Sequence, residues 1–338
     1  MALAERVLGG GPSSRRSGAL SCREGGSATR AEALAVLMAP AEELLALLEA
    51  AFAVRRHYFG LGVSLHVIRN AKSGLCTEDC AYCSQSAKSA AAAPRYELQP
   101  VEEILQGALE AQALKAVRYC IVTSSRAPQE EELNTVCAAA EQIKRATSLQ
   151  VCTSLGLVDA AQARRLKLAG VDRFNHNLET SERFYPSICQ THSYSDRLAT
   201  ARAVKAAGVE LCCGALMGLG ETPEDRVDLA FALREVEADS IPVNFLDPRP
   251  GTAFEHRPRL AAAEALRILV MFRLVNPSRE LRVAGGREVC LGPLQALALY
   301  PANSIFTNGY LTTPGQGHAA DLAMIEAAGF QVTDVTQA

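Results

Sequence analysis

The sequence contains no tryptophan and few aromatic residues, and it lacks both a long apolar run and an excess of charge of either sign. Its longest clean apolar run, residues 33–41, is interrupted by Pro40 and followed by two glutamates, and it is far shorter than the ~20 residues that a membrane-spanning helix needs. This excludes a membrane protein. The net charge of −3 over 338 residues gives no electrostatic attraction for nucleic acid or for an anionic membrane surface.

Cysteine, by contrast, is abundant. The sequence has 11 cysteines, an odd number, and it shows no secretory signal peptide, so we do not expect a disulfide framework. In a reducing compartment cysteines serve as small buried apolar residues, as nucleophiles or as metal ligands. The question is therefore which cysteines have which of these roles.

Composition and periodicity divide the chain into four parts. Residues 1–35 are predicted to be a flexible N-terminal tail, and residues 331–338 a C-terminal tail. Residues 1–30 are rich in arginine and serine and poor in acids, which is also typical of a mitochondrial transit peptide. We expect a cytoplasmic protein, with the mitochondrial matrix as the alternative. Residues 36–62 contain an amphipathic helix near 42–57, which is predicted to pack on the main domain.

Residues 63–330 alternate between short β-rich runs and longer helical stretches. Eight strands are predicted, near residues 63–69, 117–123, 149–153, 171–177, 209–213, 240–245, 280–284 and 303–307. This alternation predicts an α/β fold, a single (βα)8 TIM-type barrel with an N-terminal helical extension. The alternative is a doubly wound open sheet.

A first group of cysteines, Cys76, Cys80 and Cys83, follows the first predicted strand with C-x3-C-x2-C spacing. A loop in this position lies at the carboxyl-terminal face of a barrel, where barrel enzymes carry out their chemistry. No fourth cysteine or histidine is near in sequence, whereas structural zinc sites and ordinary iron–sulfur clusters use four protein ligands. Three ligands on a four-iron cluster would leave one iron open to a small molecule. The alternatives are a zinc site and three packed cysteines.

A second group, Cys120, Cys152 and Cys212, lies in the middle of predicted strands two, three and five. On strand seven Arg282 is predicted to point inward, and a charged side chain inside a barrel is costly unless it is paired or coordinated. The residues alone leave two interpretations open. One is three packed cysteines, and the other is a second iron–sulfur cluster inside the barrel.

Asparagine is prominent at the ends of two strands. Asn175, Asn177 and Glu179 alternate along strand four and so share a face, and Asn244 lies on strand six. Several buried amides facing one cavity suit a ligand with neighbouring donors and acceptors, such as a cyclic urea. Turn-forming asparagine is the alternative. Glycines follow strand five, including Gly218, and a helix then begins at Thr222, which suits close approach to a ligand but is also typical of an ordinary loop.

The C-x3-C-x2-C spacing, with an aromatic residue before the last cysteine, resembles the signature of the radical S-adenosylmethionine superfamily. From Lys72 to Gln316 the chain resembles the biotin synthase family without long gaps. The matching stretches are KSGLCTEDCAYCSQSA (72–87), VRYC at Cys120, VCTSLG at Cys152, FNHNLETSERFYP (174–186), CCGALMGLGET (212–222), IPVNFLDPRPGT (241–252), LRVAGGRE (281–288) and NSIFTNGYLTTPGQ (303–316).

The resemblance implies sulfur insertion into dethiobiotin to form biotin, with S-adenosylmethionine and two clusters as cofactors. It implies a 4Fe-4S cluster on Cys76, Cys80 and Cys83, which cleaves S-adenosylmethionine to a 5′-deoxyadenosyl radical. It implies a 2Fe-2S cluster, the sulfur donor, on Cys120, Cys152, Cys212 and Arg282. Arg287 is the rival for the arginine position. A flavodoxin- or ferredoxin-type electron donor and a homodimer are also implied.

The resemblance also assigns ligand contacts. It places Asn175, Asn177 and Asn244 against the ureido ring of dethiobiotin. It places Tyr82, Asn177, Glu179 and Gly218 near S-adenosylmethionine. The family usually has Asp at the position of Glu179, so the contact with the ribose depends on a longer side chain here.

The other cysteines are predicted to have structural roles, and the histidines show no metal-binding spacing. These cysteines are Cys22, Cys137, Cys189, Cys213 and Cys290. Two other functions remain open. One is a different radical S-adenosylmethionine enzyme on the same barrel. The other is a non-catalytic iron–sulfur electron carrier, which would need neither the asparagines nor an open iron.

Overall fold

The computed structural model describes Arg6, residues 26–313 and residues 315–333. Most of both predicted tails, and the proposed transit peptide with them, lies outside the described residues. Where the inner ends of the tails are described, they are regular structure: helix α1 spans Arg30–Met38 and strand β10 spans Gln331–Val332, which pairs with the first strand of the barrel. These inner ends of the predicted tails therefore take part in packing or pairing.

Each of the eight predicted strand segments contains a strand, and two further strands are present. The strands that form the barrel are β1 (Gly62–Lys72), β2 (Arg118–Thr123), β3 (Gln150–Ser154), β4 (Arg173–Asn175), β5 (Glu210–Cys212), β6 (Ala215–Met217), β7 (Ser240–Phe245), β8 (Glu280–Val283) and β9 (Ser304–Phe306). All pairs are parallel, and β9 returns to pair with β1, so the sheet closes. The predicted (βα)8 barrel is confirmed, and the open sheet is excluded.

The fifth barrel strand is interrupted between β5 and β6, at Cys213 and Gly214. A Cβ atom on Gly214 would lie 1.9 Å from the carbonyl oxygen of Pro242 on β7, so only glycine fits there. Pro242 has no N–H to donate to a neighbouring strand, and the pairing with β7 passes from Cys212–Ser240 directly to Ala215–Val243. The N–H of Gly214 is then free to donate to the side chain of Asn177, at 3.1 Å.

The helices surround the barrel. They are α2 (Leu44–Phe59), α3 (Val101–Ala113), α4 (Glu130–Ala146), α5 (Ala160–Leu168), α6 (Tyr194–Ala206), α7 (Pro223–Glu235), α8 (Ala262–Val275), α9 (Arg287–Leu291) and α10 (His318–Ala327), with short 3-10 segments at Ala41–Glu43, Tyr185–Ser187 and Gly292–Leu299. Helix α7 begins as its sequence predicts, with Thr222 and Asp225 capping each other and Pro223 in the first turn.

Helices α1 and α2 pack on the outer side of α8. An outer helix of a barrel normally has one exposed face, but the last turns of α8, including Arg273, are buried all round because this N-terminal extension covers them. Arg273 is satisfied by the carbonyl oxygens of Pro301, Pro277 and Arg279, at 2.8 to 3.0 Å. Among the described residues, no helix is long and apolar enough to cross a bilayer.

Candidate active site

A cavity of about 270 Å³ opens at the carboxyl-terminal face of the barrel. Residues from the predicted sites line it from top to bottom. They are Tyr82 and Cys83 from the loop after β1, then Asn175, Asn177, Glu179 and Asn244, and then Cys120, Cys152, Cys212 and Arg282 on the strands. A single cavity therefore contains members of both cysteine groups, with the asparagines between them.

The three strand cysteines form the lower part of this cavity. Cys120 and Cys152 are paired across β2 and β3, and Cys212 is paired with Asn175 across β5 and β4. All three are buried. Cys152 shares its thiol hydrogen with Cys120, which lowers the pKa of Cys120 and raises that of Cys152. The sheet itself thus holds the thiols of Cys120 and Cys152 within contact of each other.

Arg282 reaches the same layer from β8. Its Nη1 lies 3.7 Å from Sγ of Cys212, and its Nη2 donates to the hydroxyl of Ser240 at 3.0 Å and to Glu280. Its Nε is buried and has no partner among the described residues. The rival, Arg287, lies outside the cavity on α9, where it donates to Asp321 at 2.7 Å. The geometry therefore favours Arg282.

A buried charge network lies beneath the cysteines. The carboxylate of Glu280 accepts from Arg173 at 2.6 Å and from Arg118 at 3.3 Å, as well as from Arg282. Burial alone would raise the pKa of Glu280, but these three guanidinium groups lower it well below the usual value, so Glu280 is ionised. Among the described residues, the one other carboxylate that pairs with these arginines is that of Glu210, which is 51% exposed. The interior therefore has an excess of positive charge below the thiols.

This donor set suits an iron–sulfur cluster. Thiolates are its usual ligands, and a cluster with sulfide bridges and three thiolates is stabilised by surrounding positive charge. Three buried arginines against one carboxylate that is 14% exposed provide that charge, and the Nε of Arg282, which has no partner among the described residues, belongs to the same layer. Simple packing of three cysteines explains neither feature.

The loop cysteines are held differently. Cys76, Cys80 and Cys83 are each partly buried, and the backbone turns between the last two, with the N–H of Cys83 donating to the carbonyl of Cys80 at 3.1 Å. The side chain of Gln85 fixes the loop by accepting from the hydroxyl of Ser73 at 2.9 Å and from the N–H of Gly74 at 3.0 Å.

Burial raises the pKa of Cys76, and it raises the pKa of Cys83 to about 11, with Cys76 contributing as a second negative charge. Such thiols become thiolates only when a cation compensates them. Thiols of this kind suit a cationic centre such as an iron cluster.

The fold adds neighbours to this loop that are distant in sequence. The sequence places no fourth cysteine or histidine near it, but the fold brings Cys189 to 3.9 Å from Cys80, Sγ to Sγ, and places His192 beside Cys189. The two cysteines are 109 residues apart in sequence, so no local pattern could have revealed their contact. Cys189, which is predicted to have a structural role, lies among polar groups in the structure.

The asparagines form a connected row. The amide of Asn175 donates to the side-chain oxygen of Asn177 and to Sγ of Cys212, both at 3.2 Å, and the amide of Asn177 donates to Glu179 at 3.4 Å. Asn244 is clamped by backbone, donating to Ala215 at 3.0 Å and accepting from Gly285 at 2.9 Å. Each amide is thereby oriented, and each keeps hydrogen-bonding capacity toward the cavity.

Glu179 lies at the upper end of this row. Its backbone φ is +68°, a left-handed conformation that glutamate rarely adopts. Burial raises the pKa of its carboxyl, which Arg197 and the hydroxyl of Tyr82 partly oppose. Tyr82 lines the cavity beside it.

Gly218 does not line the cavity. Its N–H donates to the carboxylate of Glu221 at 2.9 Å, and the next N–H, of Leu219, donates to the same carboxylate at 2.7 Å. The predicted close approach of Gly218 to a ligand therefore has no counterpart in the described geometry. Cys213 also lies outside, as its alternation with Cys212 predicts.

Sequence reasoning missed other residues of the cavity wall, including Tyr310, Arg249 and Thr313. Tyr310 lies in the segment after β9 that matches the family. Tyr310 packs against the ring of Phe306, with centroids 5.4 Å apart, and it closes the side of the cavity opposite the asparagines of β4. An aromatic residue in a loop at the mouth of a barrel was the one available signal.

Comparison with known proteins gives a consistent result. A family model described as the radical SAM superfamily matches residues 72–233, and one described as the biotin and thiamin synthesis associated domain matches residues 242–331. The chain is 53% identical to a biotin synthase of Salinibacter ruber over 300 residues, covering 89% of this chain and 84% of the relative. It is 49% identical to a biotin synthase of Bacillus cytotoxicus over 311 residues, covering 92% and 94%.

Solved structures agree on the fold. Methylornithine synthase (PylB) matches with a TM-score of 0.82 at 19% identity, covering 99% of this chain and 98% of that one. HydG, a maturase of the [FeFe]-hydrogenase, matches with a TM-score of 0.77 at 14% identity, covering 91% and 72%. At these identities the likeness concerns the barrel alone.

A closed parallel barrel with this loop and this match defines a radical S-adenosylmethionine enzyme. Within that class, the chain belongs to the biotin synthase family. The predicted family is confirmed, and with it radical chemistry in biotin synthesis and the cofactors of the family, which are S-adenosylmethionine, a 4Fe-4S cluster and a 2Fe-2S cluster.

Proposed function

We propose that this chain converts dethiobiotin to biotin in the cavity described above, with each predicted residue in a defined role. Cys76, Cys80 and Cys83 would hold the 4Fe-4S cluster. Cys120, Cys152, Cys212 and Arg282 would hold the 2Fe-2S cluster. The observation that carries the proposal is that one cavity is lined by Cys83 at its mouth and by the three strand cysteines and Arg282 at its base.

When bound, the two clusters would supply two things: one electron, which cleaves S-adenosylmethionine to a carbon radical, and one sulfur atom, which is joined to the substrate. The protein contributes position. Ligands held between the loop and the strand layer would be aligned along the axis of the barrel, and the apolar wall formed by Ile68, Leu216 and Phe306 would keep water from a reactive radical.

Asn175, Asn177 and Asn244 would bind the ureido ring of dethiobiotin. Their amides are fixed by one another and by backbone groups, so they would lose little freedom on binding. Asn175 also contacts Sγ of Cys212 at 3.2 Å, which would bring a bound ring close to the strand cysteines. Tyr82, Asn177 and Glu179 would contact S-adenosylmethionine nearer the mouth. The contact of Gly218 with S-adenosylmethionine stays a prediction; its N–H donates to Glu221.

An electron donor of flavodoxin or ferredoxin type is part of this proposal, because the reaction needs one electron at a time. The entry point would be the loop of Cys76, which is partly exposed at the end of the barrel. A homodimer and a cytoplasmic location complete it, both taken from the family.

Adjacent cysteines on opposite faces of β5 provide a matched test. In Cys212→Ala, reconstituted protein should contain about two fewer iron atoms per chain and should form no biotin, while reductive cleavage of S-adenosylmethionine continues. In Cys213→Ala both clusters and biotin formation should persist, since Cys213 lies outside the cavity. Iron and sulfide analysis with assays for deoxyadenosine and biotin measures these outcomes.

Full biotin formation by Cys212→Ala would overturn the ligand assignment. A wild-type protein that holds both clusters but yields neither deoxyadenosine nor biotin would instead favour an electron carrier. The ordered asparagine row argues against that alternative, since a carrier has no use for a binding cavity.

A further inference from the structure

Next to the loop cysteines, on the side away from the cavity, the fold assembles a second group of metal-binding atoms. Cys80, Cys189 and His192 each offer one ligand atom, and these atoms all lie within 4.8 Å of one another. Sγ of Cys189 is 3.9 Å from Sγ of Cys80 and 3.9 Å from Nε2 of His192. Two sulfur ligands of a tetrahedral zinc ion, at Zn–S distances of about 2.3 Å, lie about 3.8 Å apart. The spacing of the two sulfur atoms matches that of two such ligands.

The surroundings orient these ligands. Nδ1 of His192 is hydrogen-bonded to the carboxylate of Glu78. Both ring nitrogens lie near Sγ of Cys189, Nδ1 at 3.3 Å and Nε2 at 3.9 Å, and Nε2 is the one that Glu78 leaves available to a metal ion. Glu78 is itself fixed by Arg126 at 3.1 Å and by the hydroxyl of Thr191 at 2.6 Å. A carboxylate that holds one nitrogen of an imidazole while the other binds a metal is a recurrent arrangement in zinc proteins.

The backbone that carries Cys189 is also fixed. Asp79 accepts from the N–H groups of Gln190 and Thr191 at 3.0 and 3.1 Å, and from the thiol of Cys189 at 3.3 Å. Cys189 and His192 are both buried, with 5% and 8% exposure. The group is therefore a built site whose two carboxylates orient the segment 189–192 and its ligands.

We propose that the cluster-free protein binds one thiophilic divalent cation, with Zn²⁺ as the preferred ion, through Cys80, Cys189 and His192. Two thiolates and one imidazole suit zinc and leave a fourth position for water. Binding exchanges two S–H bonds for two metal–sulfur bonds and releases two protons to solvent. No change of oxidation state is involved.

A consequence follows for assembly, and it rests on the proposed function. Cys80 would serve both this site and the 4Fe-4S cluster, so the two metal centres exclude each other. A zinc ion bound here would withhold Cys80 and delay loading of the cluster.

The test uses the full chain, freed of iron under reducing anaerobic conditions and titrated with Co²⁺ and then with Zn²⁺. Tetrahedral Co²⁺ with thiolates gives visible d–d bands and a near-ultraviolet charge-transfer band, which Zn²⁺ should abolish by displacement. Cys189→Ser, which is nearly isosteric, and His192→Gln should each weaken binding at least ~100-fold, and Glu78→Gln by 10- to 100-fold. Cys76→Ala, Cys83→Ala and the distant Cys137→Ala should bind as the wild type does.

The variants can be checked for folding by their thermal unfolding without metal. Zinc should raise the unfolding temperature of the wild type but not of Cys189→Ser. If Cys76→Ala and Cys83→Ala lose the cobalt bands while Cys189→Ser keeps them, the ion is held by the loop cysteines alone and the proposal is overturned. Absence of tetrahedral bands in the wild type would overturn it as well.

A second arm separates this proposal from the proposed function. One equivalent of zinc added before iron and sulfide should slow 4Fe-4S formation in the wild type but not in Cys189→Ser. Zinc binding that depends on Cys189 but leaves cluster formation unaffected would support the cation site and remove Cys80 from the cluster ligands.

Discussion

The two cysteine groups of this barrel are held by different parts of the backbone, and the difference bears on what each can do. Cys120, Cys152 and Cys212 lie on strands whose register is fixed by the sheet. The network of arginines around Glu280 beneath them, the charged floor, compensates the negative charge of thiolates. Cys76, Cys80 and Cys83 lie on a partly exposed loop, which side-chain hydrogen bonds such as those of Gln85 and Asp79 hold in place of a sheet register. A strand site is preformed and closed, whereas a loop site can adapt to a small molecule that enters and leaves.

The largest effect that separates the groups is expected at Cys83, the loop cysteine that lines the cavity. Cys83→Ala should reduce both deoxyadenosine and biotin formation by about three orders of magnitude, because removing one member of a unit that acts together removes most of its effect. Cys152→Ala should reduce biotin formation alone. Separate assays for deoxyadenosine and biotin distinguish the two variants. Deoxyadenosine formation at the wild-type rate in Cys83→Ala would contradict the division of roles between loop and strand cysteines.

A smaller effect is expected on stability, and it should be confined to the strand group. Glu280 is the carboxylate shared by Arg118, Arg173 and Arg282. Glu280→Ala removes the carboxylate that these three buried guanidinium groups share, and it should lower the free energy of unfolding by about 3–5 kcal/mol. Glu210→Ala, at a half-exposed partner of the same arginines, should cost less than about 1 kcal/mol.

Denaturant unfolding of the cluster-free protein measures both changes. Equal losses for Glu280→Ala and Glu210→Ala would show that the floor is not a buried network centred on Glu280. The loop group has no comparable floor, so Gln85→Ala, which removes single hydrogen bonds, should cost about 1–2 kcal/mol.

The sequence predicts the strand cysteines and the loop cysteines to different extents. The strand sites could be found, because alternation along a buried strand determines which residues face inward, and it separates Cys212 from Cys213 and places Arg282 inside. The barrel follows from eight buried strands for the same reason. Residues alone could not distinguish packed cysteines from cluster ligands, since that choice depends on the charged floor contributed by β2, β4 and β8.

The loop and its surroundings could be predicted only in part. The contact of Cys80 with Cys189 joins segments far apart in sequence, and loops carry no periodicity that would reveal it. The interruption of strand five at Gly214 was also missed, because it depends on the proline of the neighbouring strand. The glycine-rich loop and the family resemblance predict that Gly218 lies near a ligand, and in the structure its N–H donates to Glu221.

The smallest expected effect lies at Glu179, between the two groups, where the family usually has Asp. Glu179 has a φ of +68°, and aspartate tolerates this region better than glutamate because its short side chain bonds locally. Glu179→Asp should therefore keep or raise the free energy of unfolding, by up to about 1 kcal/mol. Its carboxylate would withdraw from Tyr82 and from Arg197, which is now 3.9 Å away.

The KM for S-adenosylmethionine should accordingly change by less than about tenfold in Glu179→Asp, since a displaced hydrogen bond is weakened rather than lost. Glu179→Ala, which removes the carboxylate, should raise KM further and leave the strand cluster intact. Denaturant unfolding and steady-state kinetics with S-adenosylmethionine as the varied substrate measure both. A loss of stability in Glu179→Asp would show that the longer side chain is required by packing, and that the left-handed backbone is maintained for glutamate itself.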